Sequence, residues 1–286
     1  MHTNMSKITI VTAFFDIGRG EISTQDGLPD YLMRTTDTYF DYFANLAKLE
    51  NDMVVFVAKP HVEKVLVLRN GRPTQIIEFD FANKLNYVKK LIHNVQTDVQ
   101  FISKINPEQI KNIEYWSADY VLVNNLKAYF VNKAIKQGVV NTDMVAWVDF
   151  GYCRAAETLN ELRYWAYDFD PNFVHMFTIR KNRKIQHHGD VMKFIFNNEV
   201  YIIGGCIVAS QYKWREFLKL LTKNQKSLLQ NRIIDDDQGM YLMCLLQNRH
   251  LFKLNYLGKK QWFALFRKYD KTAKVSIIEK IKDSFI

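Results

Sequence analysis

The chain has 286 residues, of which 48% are hydrophobic and 24% are charged, with 11 glycines and 5 prolines. These values exclude disordered, collagen-like and low-complexity proteins, and they suit one large domain or two small ones with a sizeable core. The formal charge of +9 favours a ligand that carries phosphate, whether a nucleotide, a nucleic acid or an anionic lipid.

Cysteine usage and hydropathy bear on the compartment. Cys153, Cys206 and Cys244 are widely spaced and lie in apolar contexts, which favours free thiols in a reducing compartment. No stretch reaches the roughly 20 apolar residues that a membrane span needs. Residues 1–7 are polar and lack the apolar region of a signal peptide. We therefore expect a cytoplasmic protein, with attachment to a membrane surface left open.

Strands and helices alternate along the first half of the chain, which predicts an α/β domain with a parallel sheet. The predicted elements are, in chain order, a strand over 7–15, a helix over 30–49, a strand over 53–58, a helix over 61–69, a strand over 74–79, a helix over 87–95, a helix beginning at Asn106, one long helix over 117–138 and a strand over 144–151.

The second half mixes the two element types. The predicted elements here are a helix over 155–167, strands over 172–180 and 199–209, and helices over 214–221 and 236–247. We expect a nucleotide-binding half over 1–150, a smaller half for donor sugar and acceptor over 151–262 on the same sheet, and a tail over 263–286.

The C-terminal segment is strongly basic. Residues 259–286 carry eight Lys or Arg against three acids, interspersed with aromatic and aliphatic side chains. A basic amphipathic tail of this kind can lie on anionic lipid headgroups. An ordinary terminal helix that packs its apolar face on the domain is the alternative.

Asp149 ends an apolar run in the middle of the chain, the position at which open α/β sheets bind ligands. A carboxylate there can hold a divalent cation that neutralises a diphosphate leaving group, or it can bind a ribose. Capping of the next helix is the structural alternative, but an acid beside so apolar a run favours function. Arg154 is expected to pair with phosphate or to form a surface ion pair.

Paired glycines interrupt a predicted strand. Gly204 and Gly205 lie inside an apolar run, where they indicate either close approach of a ligand to the backbone or a bulge.

Three adjacent aspartates precede a predicted helix. A helix N-terminus favours acids, so capping explains one or two of them. Asp236 and Asp237, with Gln238, are the predicted catalytic residues, which would orient or deprotonate an acceptor or brace the reacting carbon.

Other polar residues are weaker candidates. His250 is expected either to complete the ligand shell of a metal ion or to have a structural role. Asp168 and Asp170 form a literal DxD, but a proline follows, so a turn is expected. His187 and His188 are expected in a solvated basic loop. The sequence has no dinucleotide fingerprint, P-loop, HExxH or GxSxG motif, and no nucleic-acid recognition signature, so we expect no nucleic-acid partner.

Several motifs together point to a family. TAFFDIGRG, EYWSADYVLVNNLKAYFVNKAI, WVDFGYCR, IGGCIVAS and DDDQGMYL resemble the HtrL/YibB–WlaTB family over nearly the whole chain. The resemblance implies a bacterial glycosyltransferase linked to lipopolysaccharide, lipooligosaccharide or capsule synthesis. The motif order is also similar to GT-A enzymes of the glycogenin and galactosyltransferase type. Here Gly151 replaces the second DxD acid, Gln261 replaces a proline, and His250 lies eight residues before Gly258.

The resemblance implies a GT-A-type α/β fold with a mixed, mostly parallel sheet flanked by helices. It implies transfer of a galactose- or glucose-type hexose from a UDP-sugar to a surface glycan or lipid-linked acceptor at the cytoplasmic face of the inner membrane. Mn²⁺ or Mg²⁺ is implied at Asp149 and His250. The implied donor-binding residues are Thr12, Ala13, Phe14, Phe15, Arg19, Lys127, Asp149, Arg154, Gly204, Gly205, Lys259 and Lys260.

Two other functions remain compatible with the sequence. A nucleotidyltransferase would act on a nucleoside triphosphate and a sugar phosphate. A basic binding protein would have no catalytic activity, and its binding would depend on salt.

Overall fold

The computed structural model describes residues 7–22, 27–159, 161–181 and 185–271. The strands are β1 (Ile8–Phe14), β2 (Met53–Val57), β3 (Thr74–Glu78), β4 (Met144–Val148), β5 (Val174–Thr178), β6 (Ile202–Ser210) and β7 (Phe252–Tyr256). The helices are α1 (Thr36–Leu46), α2 (Val62–Arg69), α3 (Asn86–Gln96), α4 (Val99–Ile102), α5 (Ala118–Asn125), α6 (Lys127–Lys136), α7 (His188–Asn197), α8 (Gln211–Gln230), α9 (Gln238–Gln247) and α10 (Leu265–Lys268).

The seven strands form one sheet in the order β3-β2-β1-β4-β6-β5-β7. Strand β6 is antiparallel to β4 and β5, and the other neighbouring pairs are parallel. The predicted fold class, α/β with a mixed and mostly parallel sheet flanked by helices, is confirmed. Strands β1 to β4 come from the first half of the chain and β5 to β7 from the second, on the same sheet.

Apolar residues cover both faces of the sheet, as a sheet between two helical layers requires. In β4, Val145 and Trp147 join the core on one face, whereas Ala146 and Val148 join the core on the other. Helices α5, α6, α8 and α9 pack on the first face, and α1, α2 and α10 on the second. Residues two apart on a strand share a face, so Asp149 follows Trp147 towards the α6 side.

Arg69 fixes the parallel half of the sheet from inside the protein. Its guanidinium donates hydrogen bonds to the carbonyl oxygens of Ala47, Leu49, Asn51 and Pro73 at 2.6–3.0 Å. Burial lowers the pKa of Arg69 to about 10, with Arg72 as a further cause. The side chain therefore joins the end of α1 to the starts of β2 and β3.

The predicted helix over 117–138 is wrong as one element, because the chain divides into α5 and α6 at Leu126. The carbonyl oxygen of Asn125 accepts a hydrogen bond from Gln225 Nε2 at 2.8 Å, and its side-chain amide donates to the carbonyl oxygens of Asp235 and Asp236. These long-range bonds interrupt the helix just before Lys127.

Two further predicted helices are wrong. Among the described residues of 155–167 the helical structure is a 3₁₀ turn, Ala156–Thr158, and Asn51 bonds both the N–H and the carbonyl of Trp165 at 2.8–2.9 Å, which holds the chain extended there. Asn106 caps a turn through Glu108 N at 3.0 Å and begins no helix. The helix predicted over 30–49 begins only at Thr36, after the capping residue Thr35.

Some elements were not predicted. Helix α7 begins at His188, where the sequence predicts a loop. Asp190 Oδ2 accepts a hydrogen bond from the N–H of His187 at 3.1 Å at the start of this helix. Strand β7 was missed. Helix α8 is longer than the predicted 214–221. The prediction ended too early because the second half of the helix is largely polar and includes Asn224, which is buried.

The first part of the predicted tail belongs to the fold. Leu265 and Phe266 are buried, and the ring of Phe266 packs edge-on to Trp165 at 5.0 Å. Residues 272–286, on which the membrane prediction now depends, lie outside the described residues. Among the helices that the structure does describe, none is long and apolar enough to cross a bilayer.

We expect Arg69→Met to lower the free energy of unfolding by about 3 kcal/mol, because four carbonyl oxygens lose their donor. Arg163→Met is the matched control, since Arg163 is 84% exposed and forms an ion pair with the side chain of Glu50 at the surface, so its loss should change stability by less than about 1 kcal/mol. Urea unfolding followed by circular dichroism measures both. Equal effects of the two substitutions would contradict the role given to Arg69.

Candidate active site

A cleft of about 280 Å³ opens at the carboxyl ends of β1 and β4, the edge at which α/β sheets bind ligands. The loop after β1, the start of α6, the end of β4, the start of β6 and the loop before α9 meet there. The structure thereby brings together most of the residues predicted from the sequence, namely Ala13, Phe14, Phe15, Arg19, Lys127, Asp149, Arg154, Gly204, Gly205, Asp236, Asp237 and Gln238.

Lys127 is buried at the floor of this cleft and contacts two carboxylates. Its Nζ lies 2.6 Å from Asp237 Oδ2 and 3.2 Å from Asp149 Oδ1. It also donates to the carbonyl oxygen of Gly204 at 3.1 Å. We call Lys127, Asp149 and Asp237 the Lys127 cluster. An ammonium has three donors, so the protein already satisfies all of them.

The two carboxylates keep this lysine charged. Burial alone would lower the pKa of Lys127, but the charges of Asp149 and Asp237 hold it well above its usual value. The Asp237 side chain is only 3% exposed, whereas that of Asp149 is 36% exposed. Removing one partner of a buried ion pair leaves the other charge without compensation, which costs about 3–5 kcal/mol.

The paired glycines make room for these carboxylates. A Cβ at Gly204 would lie 1.9 Å from Asp237 Oδ2, and one at Gly205 would lie 3.2 Å from Tyr152. Strand β6 bulges here, because Met176 of β5 pairs with Ile207 and Phe177 with Ile203. Close approach and bulge, the two interpretations left open from the sequence, therefore occur together, but at Gly204 the approaching group is Asp237.

The three adjacent aspartates have different contacts. Asp235 Oδ2 accepts the N–H groups of Gly239 and Met240 at 2.8 and 3.2 Å, so Asp235 caps α9. Asp237 is held by Lys127. Asp236 accepts the N–H of Asp237 at 2.7 Å through Oδ1 and lines the cleft.

Burial and mutual repulsion raise the pKa of this acidic group. Loss of solvation raises the pKa of Asp235, Asp236 and Asp237 to about 7 each, and neighbouring aspartates raise it further against the opposing effect of hydrogen bonds and Lys127. Glu114 adjoins them, and burial followed by Asp236 raises its pKa to about 8.

Three guanidinium groups line the same cleft, and we call Arg19, Arg34 and Arg154 the arginine group. Arg19 is fixed by hydrogen bonds to the carbonyl oxygen of Leu32 and the hydroxyl of Tyr39. Burial, and then the charges of Arg34 and Arg19, lower the pKa of Arg154. Within the described part of the chain, no carboxylate forms a salt bridge with any of the three.

Four predicted site residues do not line the cleft. Thr12 is buried in β1. His250 is exposed in the turn before β7, at the amino ends of the parallel strands, which is the edge opposite Asp149. The predicted pairing of His250 with Asp149 around a metal is therefore wrong. Lys259 and Lys260 are exposed in the loop after β7.

The literal DxD is a turn, as expected. Asp170 Oδ1 accepts the backbone N–H of Asn172 at 3.0 Å, and Asp168 pairs with Lys271 at 3.0 Å. Over the described residues as a whole, no group of three or more His, Cys, Asp or Glu is placed to hold a metal ion.

Sequence reasoning missed several residues of the site. Trp147 Nε1 donates to Asp149 Oδ1 at 2.7 Å, and their spacing of two on a strand could have indicated this. Asn125 positions the 235–236 backbone, and Arg34 lines the cleft, but no local pattern distinguishes either from an ordinary polar surface residue.

Two solved structures cover most of the chain at low similarity. Mouse xyloside xylosyltransferase 1, in its apo form, is 11% identical, with 87% of this chain and 84% of that one covered and a TM-score of 0.37. The inositol-1-phosphate CTP transferase from T. maritima is 11% identical, with 88% and 86% covered and a TM-score of 0.41.

Sequence comparison gives a close relationship. Protein HtrL of Escherichia coli (strain K12) is 48% identical over 262 residues, which cover 92% of each chain. The model of a family described as bacterial protein of unknown function (HtrL_YibB) matches residues 6–271. The chain therefore belongs to the HtrL_YibB family.

Proposed function

We propose that the protein is a GT-A-type glycosyltransferase that moves a hexose from a nucleoside diphosphate sugar to a glycan acceptor. The observation that carries the proposal is the convergence of the arginine group, without carboxylate partners among the described residues, on a cleft that also holds ionisable aspartates. Guanidinium groups match the geometry of phosphate oxygens. A diphosphate is the ligand that this charge arrangement fits best.

Aromatic rings and cations lie close together in the cleft. Phe14, Phe15 and Tyr39 line it near Arg19, and Arg154 lies 4.6 Å from the ring centroid of Phe263. Rings of this kind stack on bases and sugars. The choice of a UDP-sugar and of a surface glycan or lipid-linked acceptor rests on the family resemblance of the motifs.

Asp236 is the best-placed general base. A carboxylate with a pKa of about 7 can take a proton from an acceptor hydroxyl and is largely ionised slightly above neutral pH. The hydroxyl oxygen then forms a bond to the anomeric carbon, and the bond from that carbon to the β-phosphate oxygen breaks. The leaving diphosphate keeps the electron pair, and the arginine group stabilises its charge.

Asp237 and Gln238 form the polar floor rather than the base. Asp237 Oδ2 is engaged by Lys127 at 2.6 Å. Asp237 Oδ1, Gln238 Oε1 and the hydroxyl of Tyr241 are buried and have no hydrogen-bond partner among the described residues. Asp237 and Gln238 also line the cleft, and buried polar atoms generally have partners, so these two side chains suit contacts with the hydroxyl groups of a bound sugar.

We expect UDP and UDP-hexoses to raise the melting temperature of the protein in a thermal-shift screen that also contains GDP, CMP and ATP. A ligand present at a hundred times its dissociation constant adds about 2.7 kcal/mol to stability, which such a screen detects. A shift with ATP alone would favour a nucleotidyltransferase. Absence of any nucleotide-dependent shift would contradict the proposal.

We expect kcat/KM for transfer from the UDP-sugar to rise between pH 6 and pH 8 and then level off, because Asp236 must be ionised to accept a proton. Asp236→Asn should lower kcat by roughly 10²-fold or more, remove this rise and leave UDP affinity nearly unchanged. Initial rates across pH and calorimetric UDP titrations measure the two effects.

Asp168→Asn is the matched control, because Asp168 is 72% exposed and belongs to the literal DxD that the structure shows as a turn. This variant should keep the wild-type pH profile. An active Asp236→Asn variant with the wild-type profile would remove Asp236 from the mechanism.

A further inference from the structure

We propose, on the basis of the proposed function, that the cleft binds the donor diphosphate without a divalent cation. Lys127 is the fixed cation between Asp149 and Asp237, and the arginine group binds the phosphates. The family resemblance implies Mn²⁺ or Mg²⁺, but the residues of this cleft do not fit such an ion.

The position that a bridging metal would need is taken by an ammonium. Lys127 Nζ lies 2.6 Å from Asp237 Oδ2 and 3.2 Å from Asp149 Oδ1, directly between the two carboxylates of the cleft floor. Asp149 Oδ1 also accepts a hydrogen bond from Trp147 Nε1 at 2.7 Å, which orients this carboxylate. Asp149 Oδ2 lies 3.4 Å from Lys127 Nζ, so a divalent ion that bound either carboxylate here would lie close to a charged ammonium, which repels it.

The remaining ligands of a divalent site are missing or displaced. Gly151 stands where a second acid of the DxD would be, and a Cβ there would already lie 3.1 Å from the Tyr39 ring. His250 lies at the opposite edge of the sheet. The described residues therefore do not fit Mn²⁺ or Mg²⁺, which prefer about six oxygen or mixed ligands.

Lys127 does not bind the phosphates itself. Its contacts with Asp149, Asp237 and the carbonyl oxygen of Gly204 use its three donors. Its effect is to offset the negative charge of the floor, which would otherwise repel a diphosphate. Lys127 is thus a positioning residue for the two carboxylates.

The charge that a divalent cation usually supplies is present on arginines. Arg34 and Arg154 have no carboxylate partner among the described residues, and the aromatic rings of Tyr42 and Phe263 flank the Arg154 guanidinium at 6.0 and 4.6 Å. Arg19 adds a third guanidinium, fixed by Leu32 and Tyr39. Planar guanidiniums form paired hydrogen bonds with phosphate oxygens, and they need no metal to do so.

Calorimetric titration of the full chain with UDP and with inorganic diphosphate tests the proposal, once in EDTA and once in MnCl₂. We expect the two dissociation constants of each ligand to agree within about threefold. Binding of either ligand that weakens about tenfold or more in EDTA would overturn the proposal while leaving the transferase function standing. If inorganic diphosphate binds equally in both buffers and UDP does not bind, the result would support metal-free diphosphate binding but contradict the choice of a UDP-sugar as donor.

Absence of binding by both ligands in both buffers would contradict both proposals. Arg34→Met with Arg154→Met should weaken diphosphate binding about tenfold or more in both buffers, whereas the exposed Arg163→Met should not. Unchanged affinity in the double variant would refute the role of the arginine group.

The variant Asp149→Asn distinguishes a metal ligand from an ion-pair partner of Lys127, because the change is isosteric and affects a partly exposed side chain. If Asp149 held a metal, the variant would bind diphosphate about tenfold or more weakly in MnCl₂. Because Asp149 here pairs with Lys127, we expect equal or tighter diphosphate binding, since one negative charge is lost from the floor. A loss of affinity would overturn the proposal.

Discussion

The ion pairs of Lys127 are the constraint on which the rest of the site depends. One ammonium, buried at the start of α6, joins the end of β4, the bulge of β6 and the residue that precedes α9. Each of these elements has a sequence feature that serves the contact. Gly204 leaves room for Asp237, Trp147 orients Asp149, and the break at Leu126 allows a new helix to begin at Lys127.

This arrangement separates roles that the sequence places side by side. Of the three adjacent aspartates, Asp235 caps a helix, Asp237 belongs to the Lys127 cluster and Asp236 lines the cleft. These three aspartates and Glu114 lie together in a poorly solvated region, which raises the pKa of each aspartate to about 7. Such values are costly for stability and useful for acid–base chemistry.

Periodicity was enough to predict the βαβ opening and most of the apolar strands, because local patterns record which residues are buried. The clustering of Asp149 with Gly204 and Asp237 was predicted from the resemblance of the motif order to GT-A enzymes. Local patterns were not enough where distant residues decide the backbone. The break at Leu126 depends on Gln225 and the acidic loop, and the extended chain around Trp165 depends on Asn51. Lys127 stood out only through the family resemblance, since nothing in its own helix reveals partners more than twenty residues away.

A crystal structure of the protein grown with UDP and MgCl₂ would show what the Lys127 cluster does when a diphosphate is bound. The proposed arrangement places diphosphate oxygens within hydrogen-bonding distance of Arg34 and Arg154, with Lys127 still paired with Asp237 and Asp149. A Lys127 side chain that leaves Asp237 for the phosphates, or a nucleotide bound outside this cleft, would contradict it.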